Sequence, residues 1–375
     1  MRFICTKENL SYTLDLVSGV ASKQANLPIL LNIYIKAEES GVRLSATNLE
    51  VAIRANLRAK VERTGTFTIP AKTLTDFVHL LPEEQVELEL EGNELKINCG
   101  TSSTKIKGMP ADEYPVVPEV EENHAYAIKV DDLKKGLSQV VMAVAKNEIR
   151  PELAGVYLGF FTDRFPGLIL AATDSYRLAE KKLEVAQGKD EVRCILPARA
   201  VYEMIRLLGL GNGKQGESQA RLWVSDNQLA LRYDDFEMTS RLIDGKYPEY
   251  SQIIPDKFKT TAILSLEEVV KKIKAASLFT TTGVNAVSFD INAGQGTLNI
   301  SSTNTQTGEH ASEIDADITG EENSILLNHR YVLDGLQNMD DDRVGFMVNS
   351  GDSPCLFKSQ KDGDSFLYIV MPIRQ

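Results

Sequence analysis

Internal repetition constrains this chain more than any single motif. One long pattern occurs three times, at a spacing of about 125 residues, which is a third of the 375 residues. Each copy runs through a short alternating strand, a helix, further strands, a threonine turn, a second helix and closing strands. Because repetition at a fixed period identifies the folding unit, and a domain has roughly 100 to 200 residues, we predict three similar domains.

A strand and then a helix open each copy. The segments are FICTKENLSYTL from Phe3, YAIKVDDLKKGL from Tyr126 and AILSLEEVVKKI from Ala262. Their apolar residues have the spacing of a helix with one buried face: Leu10, Leu14 and Val17, then Leu133, Leu137, Val140 and Val144, then Val269, Ile273 and Ala276. Ser265 and Glu268 predict a capping box, and Asp131 and Asp132 place negative charge in a first helical turn.

The second helix of each copy carries the strongest repeat. The segments are TIPAKTLTDFVHLL, ILPARAVYEMIRLL and LLNHRYVLDGLQNM, and in each a Pro or Asn precedes a basic residue and an acid four positions later. Proline suits the start of a helix, and a spacing of four puts both charges on one helix face. The pairs are Lys72 and Asp76, Arg199 and Glu203, and Arg330 and Asp334.

Turn signals complete the pattern and set the domain limits. Thr47, Thr173 and Thr303 are each followed by Asn or Asp, which favours a tight turn, although in the first and third copies it can be a turn and nothing more. Hairpin turns are predicted at Gly92-Asn93, Asp226-Asn227 and Gly351-Asp352. Proline-bearing segments near 110–124 and 250–260 place the domains at 1–120, 121–254 and 255–375.

The charge of the chain bears on its partners. The net charge is −12, so binding of nucleic acid by the whole surface is excluded, whereas a locally basic face is not. Lysine and arginine nevertheless recur on the helices of all three copies, and this recurrence favours a common basic face over a merely solvated one. The basic residues are Lys7, Lys72, Lys134, Lys135, Arg199, Lys271, Lys272, Lys274 and Arg330.

Enzymatic and metal-binding patterns are weak. His79, His124, His310 and His329 are isolated, no GxSxG occurs, and the four cysteines are scattered, which fits a reduced cytoplasm. The segment GLGNGKQG lacks the residues of a phosphate loop and is predicted to be a solvated loop. The acidic runs at 119–122 and 340–342 lack the pattern of a calcium loop and are predicted to be solvated too. We therefore expect no catalytic residue, no metal, no cofactor, no leader and no membrane span.

Three motifs together resemble a known family. TDSYRLA at 173–179, LIDGKYPEY at 242–250 and YIVMPIR at 368–374 are similar to the bacterial DNA polymerase III β subunit family, the replicative sliding clamps. The resemblance runs essentially from end to end. The family often has glycine and histidine where this chain has Ser175 and Tyr176, which affects the fine shape of a pocket.

The resemblance implies an α+β fold with three repeated DNA-clamp domains per chain. Helices line the inside, antiparallel sheets lie outside, and two chains form a six-domain ring. Six helices about 10 Å wide would leave a hole of only about 9 Å, narrower than the major groove of about 12 Å. Twelve helices leave roughly 28 Å, enough for duplex DNA with solvent, so two chains are expected.

The implied function is topological. A homodimeric ring would encircle double-stranded DNA, slide without reading bases and act as a DNA polymerase processivity factor with no chemistry of its own. The implied partners are the DNA polymerase III α subunit, the clamp loader and other proteins with a clamp-binding motif. No membrane partner is expected, and the location is cytoplasmic.

The resemblance also implies three sets of residues. The expected DNA-facing residues are Lys7, Lys23, Gln24, Lys72, Lys134, Lys135, Lys146, Asn147, Arg150, Arg199, Lys271, Lys274 and Arg330. A partner-peptide pocket between domains 2 and 3 is expected from Leu153, Thr173, Tyr176, Arg177, Leu178, Pro248, Ile253, Asn328, Tyr331, Ile369, Met371, Pro372 and Arg374. The dimer interface is expected at Lys105, Ile106, Leu278 and Phe279.

Other interpretations stay open. A β-rich scaffold or ligand-binding protein would lack a coherent basic lining, and a hydrolase based on carboxylates would need two acids converging in one cleft. The C-terminal YIVMPI segment can also simply complete a sheet, which is compatible with a role in the pocket.

Overall fold

A computed structural model describes residues 1–21, 27–115, 120, 122–146, 149–211, 218–281 and 283–374. These residues fall into two compact units. The first unit comprises the described parts of Met1–Lys134, Val185–Lys189 and Arg199–Leu242, and the second those of Lys135–Glu184, Asp190–Ala198 and Ile243–Gln375.

Over the described residues the chain forms six α-helices, four short 3-10 helices and 26 strands. The α-helices are α1 Lys7–Ser18, α2 Ala71–His79, α3 Val130–Val141, α4 Ala198–Leu210, α5 Leu266–Ser277 and α6 His329–Leu336. The strands are β1 Arg2–Thr6, β2 Asn32–Glu38, β3 Gly41–Thr47, β4 Val51–Leu57, β5 Ala59–Arg63, β6 Gly65–Pro70, β7 Gln85–Glu91, β8 Glu94–Cys99, β9 Ser102–Lys107, β10 Ala125–Lys129, β11 Gly155–Thr162, β12 Phe165–Thr173, β13 Arg177–Leu183, β14 Val192–Pro197, β15 Gln219–Val224, β16 Gln228–Tyr233, β17 Phe236–Arg241, β18 Thr260–Ser265, β19 Ala286–Asn292, β20 Thr297–Asn304, β21 Gly308–Asp315, β22 Asp317–Gly320, β23 Asn323–Asn328, β24 Arg343–Val348, β25 Cys355–Ser359 and β26 Phe366–Val370.

The first unit contains a five-stranded and an eight-stranded sheet, and the strand pairs in both are antiparallel. The strand orders are β5-β1-β7-β8-β9 and β10-β15-β16-β17-β4-β3-β2-β6. In the larger sheet β17 pairs with β4, so that Phe236 lies opposite Ala55 and Ser240 opposite Val51. Strands from the first and second predicted repeats therefore share one sheet.

The second unit is built in the same way from a nine-stranded and a four-stranded sheet. The orders are β14-β11-β12-β13-β26-β25-β24-β18-β22 and β21-β20-β19-β23. Here β13 pairs antiparallel with the C-terminal strand β26, with Arg177 opposite Val370 and Lys181 opposite Phe366. The prediction that the C-terminal segment completes a sheet is confirmed.

The helix starts follow from local hydrogen bonds. Thr6 caps α1 by accepting from the N–H of Asn9 at 3.2 Å, and Ser265 caps α5 by accepting from Glu268 at 3.4 Å. Asn328 caps α6 through the N–H of Arg330 at 3.0 Å, and Pro70 precedes α2. Side-chain oxygens thus satisfy N–H groups that have no partner within the helix.

The predicted apolar helix faces form the core. Leu10, Leu14 and Val17 of α1 are buried, and the corresponding residues of α3 and α5 are buried as well. The predicted hairpins are also present: Gly92, with φ 59°, connects β7 to β8, and β15 pairs with β16 across Asp226-Asn227. The loop predicted at GLGNGKQG lies mostly outside the described residues.

The predicted solvated loop at 340–342 is exposed at Asp340 and Asp342, but Asp341 between them has a structural role. Asp341, in the acidic run 340–342, accepts hydrogen bonds from the Ser359 hydroxyl at 2.9 Å and from the N–H of Lys361 at 2.7 Å. It also accepts from the N–H groups of Asp342 and Arg343. The acidic run in the sequence does not reveal these bonds, because two of the four donors, Ser359 and Lys361, lie 18 and 20 positions away.

Candidate partner-binding site and exposed basic residues

The turn from Thr173 to Arg177 presents the side chain of Tyr176 to solvent. Oγ1 of Thr173 accepts from the N–H of Ser175 at 3.1 Å, and Oδ1 of Asp174 accepts from Tyr176 at 3.0 Å and from Arg177 at 3.1 Å. Ser175 adopts φ 77°, a conformation that favours glycine. The predicted Thr-Asp turn is confirmed, and it leaves Tyr176 63% exposed.

The first repeat contains the same turn. Asn48 accepts from the N–H groups of Glu50 at 3.0 Å and Val51 at 2.8 Å, and Leu49 has φ 75°. A buried tyrosine supports each turn, since the N–H of Thr47 donates to Tyr114 at 3.2 Å. In the second repeat, the N–H of Thr173 donates to the hydroxyl of Tyr247 at 3.0 Å. The sequence pattern gives no sign of these tyrosine contacts.

Arg177 is held by two carboxylates and one ring. Its Nε donates to Asp174 at 3.0 Å and its Nη1 to Asp334 at 2.5 Å, while its guanidinium lies 4.7 Å from the ring centroid of Tyr331. Tyr176 stacks on Tyr331 with ring centroids 6.4 Å apart and an interplanar angle of 17°. The predicted peptide contact Arg177 is therefore already bonded within the chain, and its side chain is only 3% exposed.

Part of the predicted pocket is packed into the core. Leu153, Leu178 and Ile369 belong to one buried cluster that also contains Tyr247 and Tyr250. Leu178 and Ile369 have no exposed surface. A peptide therefore reaches these three side chains only if the neighbouring residues move.

The C-terminal residues of the predicted pocket are attached to the turn. The N–H of Met371 donates to the carbonyl of Tyr176 at 2.8 Å, and the N–H of Ile373 donates to Leu326 at 2.8 Å. Met371 and Pro372 are half-buried, whereas Arg374 is exposed. The backbone of Met371 is thus bonded to the turn that carries Tyr176, although the Met371 side chain does not line the cavity around Tyr176.

A cavity of about 480 Å³ collects four of the predicted pocket residues. Tyr176, Arg177, Asn328 and Tyr331 line it. The structure does not bring Pro248 to this cavity, because Pro248 lines another one of about 340 Å³ together with Tyr157, Tyr247 and Tyr250. Ile253 is 38% exposed.

The cavity also contains charged residues that sequence reasoning did not place there. Lys146 and Arg330, expected to face DNA, line it together with Asp174 and Asp334. The Arg330 and Asp334 spacing did signal a shared helix face, but Asp334 bonds Arg177 instead.

The residues expected to face DNA differ in exposure. Lys72, Arg199 and Lys271 have side chains that are 77%, 74% and 72% exposed. Lys146, Arg150, Lys274 and Arg330 are also exposed, and Lys134 is half-buried. Lys7 pairs with Glu83 at 2.5 Å and Lys135 with Asp362 at 3.3 Å, and their side chains are only 15% and 38% exposed. Carboxylates also lie near the exposed cations, since Lys271 pairs with Glu267 at 2.7 Å. Lys23, Gln24 and Asn147 lie outside the described residues.

Of the four residues expected at a dimer interface, three lie on an edge strand or contact one. Lys105 and Ile106 belong to β9, the edge of the five-stranded sheet, where Lys105 pairs with Glu91 at 2.6 Å and Ile106 is buried. Leu278 follows α5 and is 72% exposed. Phe279 stacks on His310 of the edge strand β21 at 5.8 Å.

Nowhere in the described ranges do three or more His, Cys, Asp or Glu side chains come together in a group that could hold a metal ion. Within the same ranges, no helix has the length and apolar character needed to cross a membrane.

Comparison with known proteins places this geometry in a family. Models of the N-terminal, central and C-terminal domains of the DNA polymerase III beta subunit match residues 1–118, 127–249 and 251–374. The chain belongs to the DNA polymerase III beta subunit family. These clamp-domain models follow one another along nearly the whole chain, in the order that the three predicted repeats require.

Individual members of this family are similar to this chain in sequence and in structure. A beta sliding clamp of Synechococcus elongatus is 29% identical over 100% of this chain and 99% of its own length. The crystal structure of the DNA polymerase sliding clamp from Bacillus subtilis is 27% identical, with a TM-score of 0.92 over 100% of this chain and 99% of that one. A Pseudomonas aeruginosa sliding clamp solved with griselimycin is 25% identical, with a TM-score of 0.91 and complete coverage of both chains.

Proposed function

We propose that this chain is a DNA polymerase processivity factor, two copies of which form a ring around duplex DNA. The observation that carries the proposal is the succession of three clamp-domain matches over nearly the entire chain. The domains are proposed at 1–120, 121–254 and 255–375. The ring slides without reading sequence and has no catalytic role, and it acts in the cytoplasm.

The DNA-facing surface is proposed to be the exposed cations of the helices. Lys72 lies in α2, Arg199 in α4 and Lys271 in α5, and all three side chains extend into solvent. Lysine and arginine attract phosphates without distinguishing bases, and a Debye length of about 8 Å keeps this attraction short-ranged. Lys7 and Lys135 are weaker members of the set, since their side chains are only 15% and 38% exposed.

The dimer is proposed to form between the first domain of one chain and the third domain of the other. Sheet edges with unpaired N–H and C=O groups favour pairing with another chain. Both β9 and β21 are edge strands, and Phe279, which follows the exposed Leu278 in the chain, stacks on His310 of β21.

The partner site is proposed to be the surface around Tyr176, Arg177, Tyr331 and Met371. Its ligand would be a short peptide with a glutamine and two downstream apolar residues, contributed by a polymerase, a clamp loader or another clamp-binding protein. The exposed Tyr176 and the half-buried Met371 supply apolar contact, and the cavity of about 480 Å³ has room for several side chains.

Topological binding has a direct test. The mass in solution is measured together with retention on nicked circular DNA and on the same DNA after linearisation. We expect a dimer that stays on the circle and slides off the linear form. Equal retention on both DNA forms would show ordinary binding and would contradict a ring, as would a stable monomer at micromolar concentration.

A further inference from the structure

The cavity beside Tyr176 has an uneven charge distribution. Its charged lining consists of three cations, Lys146, Arg177 and Arg330, and two carboxylates, Asp174 and Asp334. Arg177 donates to both carboxylates, at 3.0 Å and 2.5 Å. Arg177, Asp174 and Asp334 therefore form one internally bonded cluster, and Lys146 and Arg330 are two further cations.

Those two cations are accessible. Lys146 and Arg330 are both exposed, and among the described residues no ion pair is found for either of them. The backbone N–H of Arg330 donates to the side chain of the capping residue Asn328 at 3.0 Å. This bond fixes the start of α6 and therefore the backbone position from which the Arg330 side chain extends. The cavity thus offers two solvent-facing cations next to the aromatic pair of Tyr176 and Tyr331.

We propose that this part of the cavity is an acid-recognition subsite. In it, Lys146 and Arg330 bind the carboxylate of an aspartate or glutamate next to the apolar residues of the partner peptide. The inference rests on the proposed function, because it adds a charge preference to the same peptide site. Arg330 contributes two parallel donors that match the geometry of a carboxylate, and Lys146 contributes a point charge.

A peptide carboxylate fits this lining better than a nucleic acid. A single carboxylate can approach the two cations alone, whereas a phosphate backbone brings successive charges past Asp174 and the half-exposed Asp334. The cavity also shares Tyr176, Arg177, Asn328 and Tyr331 with the proposed peptide site, so an anchored peptide passes within reach of both cations.

The test is an aspartate scan of a labelled peptide that carries a glutamine and two apolar residues. At each other position, an aspartate peptide is compared with its asparagine twin by fluorescence anisotropy on the full-length chain. At one position we expect the aspartate peptide to bind about 5-fold more tightly at low salt, the upper range for a solvent-exposed ion pair. In the double variant Lys146→Gln, Arg330→Gln that preference should fall to about 1-fold, while the asparagine twin binds as before.

A matched control carries Lys259→Gln and Lys361→Gln, which change the net charge equally at exposed lysines outside the cavity. This control should keep the preference. The inference is overturned if no position shows a preference, or if the preference survives in the double variant, and both results leave the proposed peptide site standing. If no peptide binds at all, both the acid-recognition subsite and the proposed peptide site are contradicted. Loss of oligothymidylate binding in the double variant, with the peptide preference unchanged, would assign the cations to nucleic acid.

Discussion

Nη1 of Arg177 donates to Oδ2 of Asp334 at 2.5 Å, although 157 positions separate the two residues in the chain. The Arg177 side chain is 3% exposed, whereas Asp334 is 46% exposed. A nearly buried guanidinium thus depends on a carboxylate that solvent, or a ligand, can reach. Because Arg177 is a proposed contact for partner peptides, Asp334 competes with the peptide for the same donor.

The variant Asp334→Asn should therefore have two opposite effects. It should lower the free energy of unfolding by about 1 kcal/mol, since a charged hydrogen bond to a buried cation is weakened. It should also strengthen peptide binding by roughly 2-fold to 5-fold, because Arg177 is freed from its competitor. Denaturant unfolding and peptide titration measure the two effects.

Asp76→Asn is the control for this pair. Asp76 has the corresponding position in the first repeat, but it is 65% exposed and pairs only with the exposed Lys72 at 3.5 Å. It should change neither quantity. Identical behaviour of the two variants would show that the Arg177 bond has no special weight.

Tyr247→Phe tests the support of the turn. The change leaves the buried N–H of Thr173 without the oxygen that accepts from it at 3.0 Å, at a cost of about 1 to 3 kcal/mol. Tyr114→Phe should cost a similar amount, since Tyr114 accepts from Thr47 in the first repeat. Only Tyr247→Phe should also weaken peptide binding, because Thr173 starts the turn that carries Tyr176. Equal peptide affinities in both variants would separate the turn from the site.

The elements of the fold could be predicted because their determinants are local. Helix α1 follows from the spacing of Leu10, Leu14 and Val17, and the turn at Thr173 follows from its Asp, which bonds the backbone of the next residues. Because the same pattern occurs in three internal repeats, each of these predictions is supported by three segments of the sequence.

The contacts of the site could not be predicted in the same way. Arg177 finds Asp334 only after β13 and α6 have been brought together, and the pattern that marked Asp334 linked it to Arg330 instead. Likewise, nothing in the sequence distinguishes Lys146 from the other predicted DNA-facing cations, whereas in the structure it lines the same cavity as Tyr176. Long-range pairing is decided by the tertiary structure, on which local spacing gives no information.

The exposed helix cations give a prediction about DNA. Changing Lys72, Arg199 and Lys271 to glutamate should leave the fold intact, since surface substitutions usually change stability by only about 0.5 kcal/mol. Retention on nicked circular DNA should fall, and its dependence on salt should become shallower, because fewer counterions are released. A control with Arg58, Lys259 and Lys361 changed to glutamate has the same net charge. If both triple variants lose retention equally, the effect is global charge and not the proposed lining.

Asp341 gives a prediction about pH. Burial raises the pKa of its carboxyl, but the hydrogen bonds from Lys361, Ser359 and neighbouring N–H groups outweigh burial and lower the pKa to about 2. A carboxyl with a lowered pKa in the folded state stabilises the fold above its ordinary pKa, and this contribution is lost as the pH falls through the folded value.

Asp341→Asn should therefore be about 1 kcal/mol less stable than the parent at pH 7, and the difference should narrow between about pH 4 and pH 2. Asp342→Asn, at a 94% exposed position, should show no such change. A difference that is constant with pH would exclude the carboxylate as its cause.

Leu278 provides the sharpest test of the dimer. It is 72% exposed in the single chain, so that Leu278→Asp removes little packing within the chain. If the partner chain covers Leu278, the substitution buries a charge in an apolar contact. The loss of binding free energy at such positions is typically about 2 kcal/mol or more, which weakens the dimer roughly 30-fold. Leu80→Asp is the matched control, since Leu80 is 85% exposed and is not part of the proposed interface. Sedimentation at micromolar concentration should show a dimer for the parent and for Leu80→Asp, and a shift toward monomer for Leu278→Asp. A Leu278→Asp protein that sediments with the parent would place the interface elsewhere on the chain.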